Sequence, residues 1–170
     1  RISEHFSAEF FVVEHTIPQA YGFILETPAG NMVNFGDFRL DYTKDGTPQH
    51  LDIFDRVGQR GIHTAFMDST NADIPGHVPS EETVEANLEM LIKEAKGRVI
   101  IACFASLIDR ILEIIKIADR LGRNVAVNGR SMKDNLEIAK ALGYLKDRKD
   151  HIIPLEEINK HKDEKILILT

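Results

Sequence analysis

The sequence has only one cysteine, Cys103, among 170 residues. A single thiol cannot form a disulfide within the chain. This excludes the small secreted proteins that disulfides hold together, and it favours a reducing compartment. The residues around Cys103, in the stretch VIIACFA, are apolar. We therefore interpret this thiol as part of a hydrophobic core and not as a catalytic nucleophile.

Long apolar runs are also missing. The longest, VIIACFA and ILIL, are far shorter than the roughly 20 residues that a helix needs to cross a bilayer. The N-terminal residues do not have the pattern of a secretory signal. We expect a soluble, cytoplasmic protein without a membrane partner.

Clustered cations and nucleotide-binding motifs are scarce. The formal net charge is −6, and no Lys/Arg cluster is larger than those in RLGR and KDRKD. This charge argues against a protein that binds nucleic acid by neutralising many phosphates, although it is compatible with a local basic groove. The chain has neither a G-x-G-x-x-G motif nor a P-loop, which makes the common dinucleotide and nucleoside triphosphate sites unexpected.

The composition, 43% hydrophobic and 28% charged, is typical of one globular domain or of pieces of two larger ones. Residues 8–40 are rich in β-branched and aromatic side chains, and the turn TPAG predicts a β-hairpin between YGFILET and NMVNFGDF. A short amphipathic helix is predicted in HLDIFDRVGQRG, with Leu51, Phe54 and Val57 facing inward. The stretch IHTAFMDSTNA is predicted to be a buried strand that ends in a polar turn.

From about residue 80, three amphipathic helices alternate with short apolar strands. Ser80 and Ser131 are the predicted N-caps of the first and third helices. Gly97 is the predicted left-handed residue after the first helix, and Leu91 and Leu142 are expected to face the core. Apolar strands separated by such helices are typical of βαβ units. The predicted fold class is therefore α/β, with a β-rich first part followed by a Rossmann-like parallel sheet.

Three residues with metal-binding side chains follow predicted strands: His15 in VEHTIP, Asp37 in NFGDFRLD and Asp68 in MDSTNAD. Zinc sites combine imidazole and carboxylate ligands in this way, and two-metal hydrolytic sites often add a bridging carboxylate. Each residue also has a structural interpretation: a histidine bonded to the backbone, a turn aspartate, and an aspartate in an Asx turn. Local sequence leaves both interpretations open.

The other histidines do not complete a metal site. None of them forms an H-x-H or H-x-x-x-H pair, and they are scattered along the chain at His5, His50, His63, His77, His151 and His161. A catalytic zinc ion usually has three protein ligands. We therefore predict that these 170 residues by themselves cannot complete a hydrolytic metal centre.

Several motifs, taken in order, resemble ribonuclease J, of the β-CASP branch of the metallo-β-lactamase superfamily. They are VEHTIPQAYGFILETPAGNMVNFGDFRLD, DSTNADIPGHVPSEETV, GRVIIACFASLIDRI and GRNVAVNGRSM. The resemblance covers nearly the whole chain. It implies that residues 1–73 are the later part of the first metallo-β-lactamase segment and that residues 74–170 are most of an inserted β-CASP domain.

The resemblance also implies a function. The complete enzyme would be a zinc-dependent ribonuclease that hydrolyses RNA phosphodiester bonds, as a 5′-to-3′ exonuclease, an endonuclease or both. It would hold two Zn²⁺ ions, with His15 binding one and Asp37 bridging both, while Asp68 orients a downstream catalytic histidine. We expect the 170 residues alone to be inactive and to hold no zinc stably. A homo-oligomer is implied as well.

RNA contacts are predicted at the ends of two parallel strands, from Phe104 and Ser106 in CFAS and from Arg130 and Ser131 in NGRSM. The alternatives are core packing for Phe104 and a plain surface position for Arg130. After FAS the family usually has Asn-x-His-Arg, where this chain has LIDR, and the acid at Asp109 would repel a phosphate. Two other functions stay open. A β-CASP nuclease that acts on DNA would share the metal ligands, and a non-catalytic interaction module with the same fold would explain Asp109.

Overall fold

The structure is a computed structural model that describes residues 1–43, 45–76, 78–145 and 151–170. His77 and the basic run KDRKD lie outside the described residues. The chain divides into two compact units, Arg1–Glu82 and Thr83–Thr170. The family-based domain boundary after residue 73 stays a prediction.

The first unit contains a four-stranded sheet in the order β1-β2-β3-β4. Its strands are β1 (Ser7–Val13), β2 (Ala20–Thr27), β3 (Gly30–Asn34) and β4 (Ile62–Phe66). The first three pair antiparallel, and β4 pairs parallel with β3. The predicted β2–β3 hairpin is confirmed. The Thr27 hydroxyl stabilises its turn by donating to the Gly30 carbonyl over 2.8 Å.

One face of this sheet carries the core of the unit. Helix α1 (Asp52–Gly58) contributes to that core, whose buried residues are Phe11, Val13, Ile24, Val33, Phe35, Ile53 and Val57. The predicted inward position of Leu51 is wrong, because this residue precedes the helix and its side chain is 43% exposed. The buried positions of α1 are Ile53 and Val57, one helical turn apart.

The other face of the sheet is apolar but exposed. Side chains alternate between the two faces of a strand, so Phe10 and Val12 point away from the core that holds Phe11 and Val13. The strand predicted after residue 61 is confirmed, but its predicted burial is wrong. In the described sheet β4 lies at an edge, and Phe66 at its end is 51% exposed.

The second unit contains a parallel sheet in the order β5-β8-β6-β7. The strands are β5 (Val99–Ile101), β6 (Asn124–Val127), β7 (Ile152–Ile153) and β8 (Ile166–Leu169). The helices are α2 (Glu81–Glu94), which begins directly after Ser80 with its first two residues in the first unit, α3 (Ile108–Arg120), α4 (Arg130–Ala141) and two 3-10 helices (Leu155–Lys160 and Asp163–Lys165). The predicted α/β fold with a parallel sheet is confirmed. Among the described residues, no helix combines the length and the apolar character needed to span a bilayer.

The predicted amphipathic character of α3 is confirmed, because one side of this helix packs into the core of the second unit. Six of its residues are buried: Ile111, Leu112, Ile114, Ile115, Ile117 and Ala118. Two other inward predictions are wrong. Leu91 is 60% exposed, whereas the neighbouring Ile92, which is also expected on the inner side of α2, is buried. Leu142 is 69% exposed, because it comes after the last residue of α4.

Two predicted helix ends also differ from the structure. Gly97 is absent from the residues with positive φ, so it is not a left-handed cap. The Arg123 guanidinium instead donates to the Ala95 and Gly97 carbonyls after α2, over 2.5 and 2.9 Å. Ser131 is not an N-cap, because α4 begins one residue earlier, after Gly129 with φ 93°.

Candidate functional site

The three candidate metal-binding residues follow strands that run in the same direction. β1 is antiparallel to β2, β2 is antiparallel to β3, and β3 is parallel to β4. The carboxyl ends of β1, β3 and β4 therefore lie on the same side of the sheet, and this row of strand ends is called an edge of the sheet below. His15, Asp37 and Asp68 follow these three ends. The fold thus brings together residues that are separated by up to 53 positions in the sequence.

The loop after β3 presents Asp37 to solvent. The Gly36 amide donates to the Asn34 side-chain oxygen over 2.7 Å, and φ of 62° at Gly36 turns the chain away from the strand. On either side of Gly36 and Asp37, Phe35 and Phe38 pack with their ring centroids 5.3 Å apart. The loop is therefore a turn held by two aromatic anchors, with an exposed carboxylate between them.

Two backbone hydrogen bonds connect this loop to its neighbours. The Arg39 amide donates to the Glu14 carbonyl over 2.9 Å, directly before His15. The Phe35 amide donates to the Phe66 carbonyl over 3.1 Å, two residues before Asp68. The loop that carries Asp37 is thereby hydrogen-bonded to both of the other chain segments at this edge.

Asp68 forms the Asx turn that its sequence allowed. Its Oδ1 accepts from the Thr70 amide over 2.9 Å and from the Thr70 hydroxyl over 2.7 Å. These hydrogen bonds hold the pKa of Asp68 below its ordinary value, and a smaller electrostatic effect of the nearby His15 acts in the same direction. Asp68 is therefore an ionised carboxylate close to an imidazole.

These donors fit part of a zinc centre. Imidazole nitrogen and carboxylate oxygen are ligands that zinc takes in proteins, and His15 and Asp37 supply one of each. In the part of the chain that the structure describes, no group of three or more His, Cys, Asp or Glu residues is placed to hold a metal ion. A complete zinc centre at this position therefore needs ligands in addition to His15 and Asp37.

The predicted RNA-contacting residues also come together at one edge of a sheet, in the second unit. Because β5, β8 and β6 are parallel, their carboxyl ends lie side by side. Phe104 and Ser106 follow β5, and Arg130 and Ser131 follow β6. The edges of such sheets where strands end are the usual ligand-binding positions of open α/β folds.

Hydrogen bonds connect the two loops at this edge through the end of β8. The Cys103 amide donates to the Thr170 carbonyl over 3.0 Å, and the Asn128 amide donates to the Leu169 carbonyl over 2.8 Å. The Asn135 side chain donates to the Ala105 carbonyl over 2.8 Å, which attaches the loop after β5 to α4. The loop that carries Phe104 is thus fixed to the helix that begins with Arg130.

The environment of single residues bears on the interpretations left open by the sequence. Phe104 is 79% exposed, so the core-packing alternative is wrong. Arg130 and Ser131 are exposed in the first turn of α4. Cys103 is partly buried against the core of the second unit, and burial raises the pKa of its thiol. This agrees with a core thiol, because a nucleophile needs a lowered pKa.

Sequence reasoning missed two arginines that organise these regions. Arg39 pairs with Asp41 over 3.2 Å and also with Glu81. Arg123 is only 4% exposed and satisfies carbonyls near the end of α2. The partners of both residues include positions more than 25 residues away, so no local pattern identifies them.

Comparison with known proteins finds a family match in the second unit and relatives along nearly the whole chain. Residues 96–170 match the family described as Ribonuclease J, beta-CASP domain. Ribonuclease J of Mycoplasma pneumoniae is 39% identical over 167 residues, which cover 98% of this chain and 29% of that protein. Ribonuclease J of Thermus thermophilus is 41% identical over 170 residues, which cover 99% of this chain and 30% of that protein.

A solved structure supports the fold. The crystal structure of a protein of unknown function from Enterococcus faecalis V583 matches with a TM-score of 0.66 and 19% sequence identity, over 98% of this chain and 41% of that chain. The chain spans about 30% of the length of the curated relatives it matches. Taken together, residues 96–170 match the ribonuclease J β-CASP domain family, and nearly the whole chain is similar to a part of proteins named ribonuclease J.

Proposed function

We propose that the complete protein is a zinc-dependent ribonuclease of the ribonuclease J type, which hydrolyses RNA phosphodiester bonds as a 5′-to-3′ exonuclease, an endonuclease or both. Relatives named ribonuclease J that align with 98–99% of this chain support the proposal. Because the chain corresponds to about 30% of their length, the proposed activity belongs to the complete protein. A cytoplasmic location and a homo-oligomeric assembly are part of the same proposal.

The observation that carries the proposal is the meeting of three strand ends, with His15, Asp37 and Asp68 at one edge of the first sheet. In the proposed enzyme His15 would be a ligand of one zinc ion and Asp37 a ligand shared by two. Bound zinc would supply an activated water and would stabilise the charge that develops on the phosphate.

The local contacts of these residues suit such roles. Asp37 is exposed at the tip of an anchored loop, which leaves its carboxylate accessible at a defined place. Asp68 stays ionised because Thr70 donates two hydrogen bonds to it. An ionised carboxylate accepts the N–H of a histidine and thereby sets the tautomer and orientation of the ring. We therefore assign Asp68 the role of orienting a catalytic histidine elsewhere in the protein.

We further propose that residues 1–73 belong to the metallo-β-lactamase part of the enzyme and residues 74–170 to its β-CASP domain. The sheet topology of the two units supports this division, since the first unit has a mostly antiparallel sheet and the second a parallel one. With only two metal ligands assigned, the 170 residues alone are expected to bind zinc weakly and to be inactive.

RNA contact is proposed for the edge of the second sheet. The exposed ring of Phe104 offers a surface on which a base can stack. Arg130 offers a guanidinium to a backbone phosphate, and its place in the first turn of α4 adds backbone amides with the same preference for anions. Ser106 and Ser131 supply hydroxyl groups nearby.

The test is the substitution Asp37→Asn in the complete protein. It keeps the size of the side chain and removes its charge, so we expect the protein to fold normally, to lose zinc and to lose RNA cleavage. Asp55→Asn on the exposed side of α1 is the matched control and should change neither property. Zinc content, cleavage of labelled RNA and far-UV circular dichroism would be measured for both. Full nuclease activity of the Asp37 variant would refute the proposal.

A further inference from the structure

Arg39 makes contacts with three separate parts of the first unit. Its amide donates to the Glu14 carbonyl over 2.9 Å. Its guanidinium forms an ion pair with Asp41 over 3.2 Å and a second one with Glu81, and its side chain is only 24% exposed. In sequence, Arg39 comes two residues after Asp37, and Glu14 comes directly before His15.

The ion pairs of the guanidinium are expected to restrain the backbone of Arg39. A single hydrogen bond between two surface loops opens easily, because such bonds belong to the least stable parts of a fold. Charge-assisted hydrogen bonds of a partly buried guanidinium are stronger, and Arg39 forms them with two carboxylates. A side chain held at its far end restrains its Cα and therefore its amide.

We propose that Arg39 is a positioning residue for the metal site. The guanidinium, held between Asp41 and Glu81, keeps the Arg39 amide on the Glu14 carbonyl, and this keeps Asp37 at a defined distance from His15. Metal ligands have to be held within about 0.5 Å of their productive geometry, so a loosened loop weakens binding. This inference rests on the proposed function, because it takes His15 and Asp37 to be metal ligands.

The same unit contains a matched control. Arg60 also pairs with two carboxylates, Glu9 over 3.0 Å and Glu26 over 2.5 Å, with 40% of its side chain exposed. It precedes β4, and Glu26 is in the second-to-last position of β2, so this cluster lies at the opposite edge of the sheet. Removing Arg60 therefore removes a similar ion cluster without touching the loop that carries Asp37.

The first measurement does not depend on zinc. Hydrogen exchange would be followed at the amide of position 39 in the parent protein and in the variants Arg39→Gln, Arg39→Lys and Arg60→Gln. Loss of the charged clamp in Arg39→Gln should speed exchange about tenfold, while Arg39→Lys should recover part of the protection. Arg60→Gln should leave exchange at position 39 unchanged. The variant Glu81→Gln removes one partner of the clamp and should act in the same direction as Arg39→Gln, which covers the case in which Arg39→Gln does not fold.

The second measurement is zinc affinity, by competition with a chelator in the complete protein. Arg39→Gln should weaken zinc binding about tenfold, with part of the loss recovered in Arg39→Lys and none seen in Arg60→Gln. If Arg39→Gln speeds exchange but binds zinc like the parent, while Asp37→Asn loses zinc, Arg39 is not a positioning residue and the proposed function stands. Unchanged zinc binding in Asp37→Asn would overturn the proposed function itself, and this inference with it.

Discussion

The buried guanidinium of Arg123 is expected to contribute to the free energy of unfolding through its hydrogen bonds to backbone carbonyls. It donates to the Ala95 carbonyl over 2.5 Å, to the Gly97 carbonyl over 2.9 Å and, more weakly, to the Ile166 carbonyl over 3.4 Å. These bonds connect the chain after α2 to the start of β8. Arg123→Met keeps a side chain of similar length but removes every donor.

The substitution removes all three hydrogen bonds, and the two shorter ones, to the Ala95 and Gly97 carbonyls, account for most of the expected cost. Leaving one buried polar group unsatisfied costs about 1–3 kcal/mol, and the Ala95 and Gly97 carbonyls are only partly buried, so the lower figure applies to each. We expect Arg123→Met to lower the free energy of unfolding by about 2 kcal/mol and Arg123→Lys, which keeps one donor group, by about half of that.

Urea unfolding, followed by far-UV circular dichroism, measures this difference. The midpoint should fall while the slope stays constant, because the substitution does not change the surface exposed on unfolding. Arg130→Met is the control, since Arg130 is exposed in the first turn of α4 and its replacement should change stability by less than about 0.5 kcal/mol. An equally small effect of Arg123→Met would refute the assignment of Arg123 as the residue that satisfies these carbonyls.

Two further outcomes are expected at the candidate sites. Phe104→Ala should weaken binding of single-stranded RNA by about 1–3 kcal/mol without moving the urea midpoint, because the ring is exposed and is proposed to stack on a base. Filter binding measures the affinity. A loss of stability with unchanged affinity would contradict this prediction. Thr70→Val should raise the pKa of Asp68, since it removes the hydroxyl that donates to the carboxylate. Because the folded-state pKa is lowered, the stabilisation by this turn is present above the unfolded value of about 4 and is lost as the pH falls through the folded value. An NMR titration of Asp68 that is identical in both proteins would contradict this account.

Elements with a strong local pattern were predictable from the sequence. The stripe of α3 buries Ile111, Ile115 and Ala118, because residues three and four apart lie on one side of any helix. Gly122 follows the helix with φ 63°, as its lack of a side chain allows. In each case the information is contained within a few neighbouring residues.

Burial and capping were less predictable where the partner comes from elsewhere in the chain. The apolar residues of α2 could not show that Ile92 is buried and Leu91 is exposed, because this depends on what packs against the helix. Gly97 is a reasonable cap by local rules, but Arg123, 26 residues later, satisfies its carbonyl. The same applies to Arg39 and Glu81, which are 42 residues apart.

The sequence by itself determined the residue types at the candidate sites and their places after apolar strands. Only the tertiary structure decided which strand ends meet. The parallel pairing of β3 with β4 brings Asp37 near Asp68, and the placement of β8 between β5 and β6 puts Thr170 between the loops of Phe104 and Arg130. Strand order depends on hydrogen bonds between segments far apart in the chain, and local patterns carry no information about such pairings.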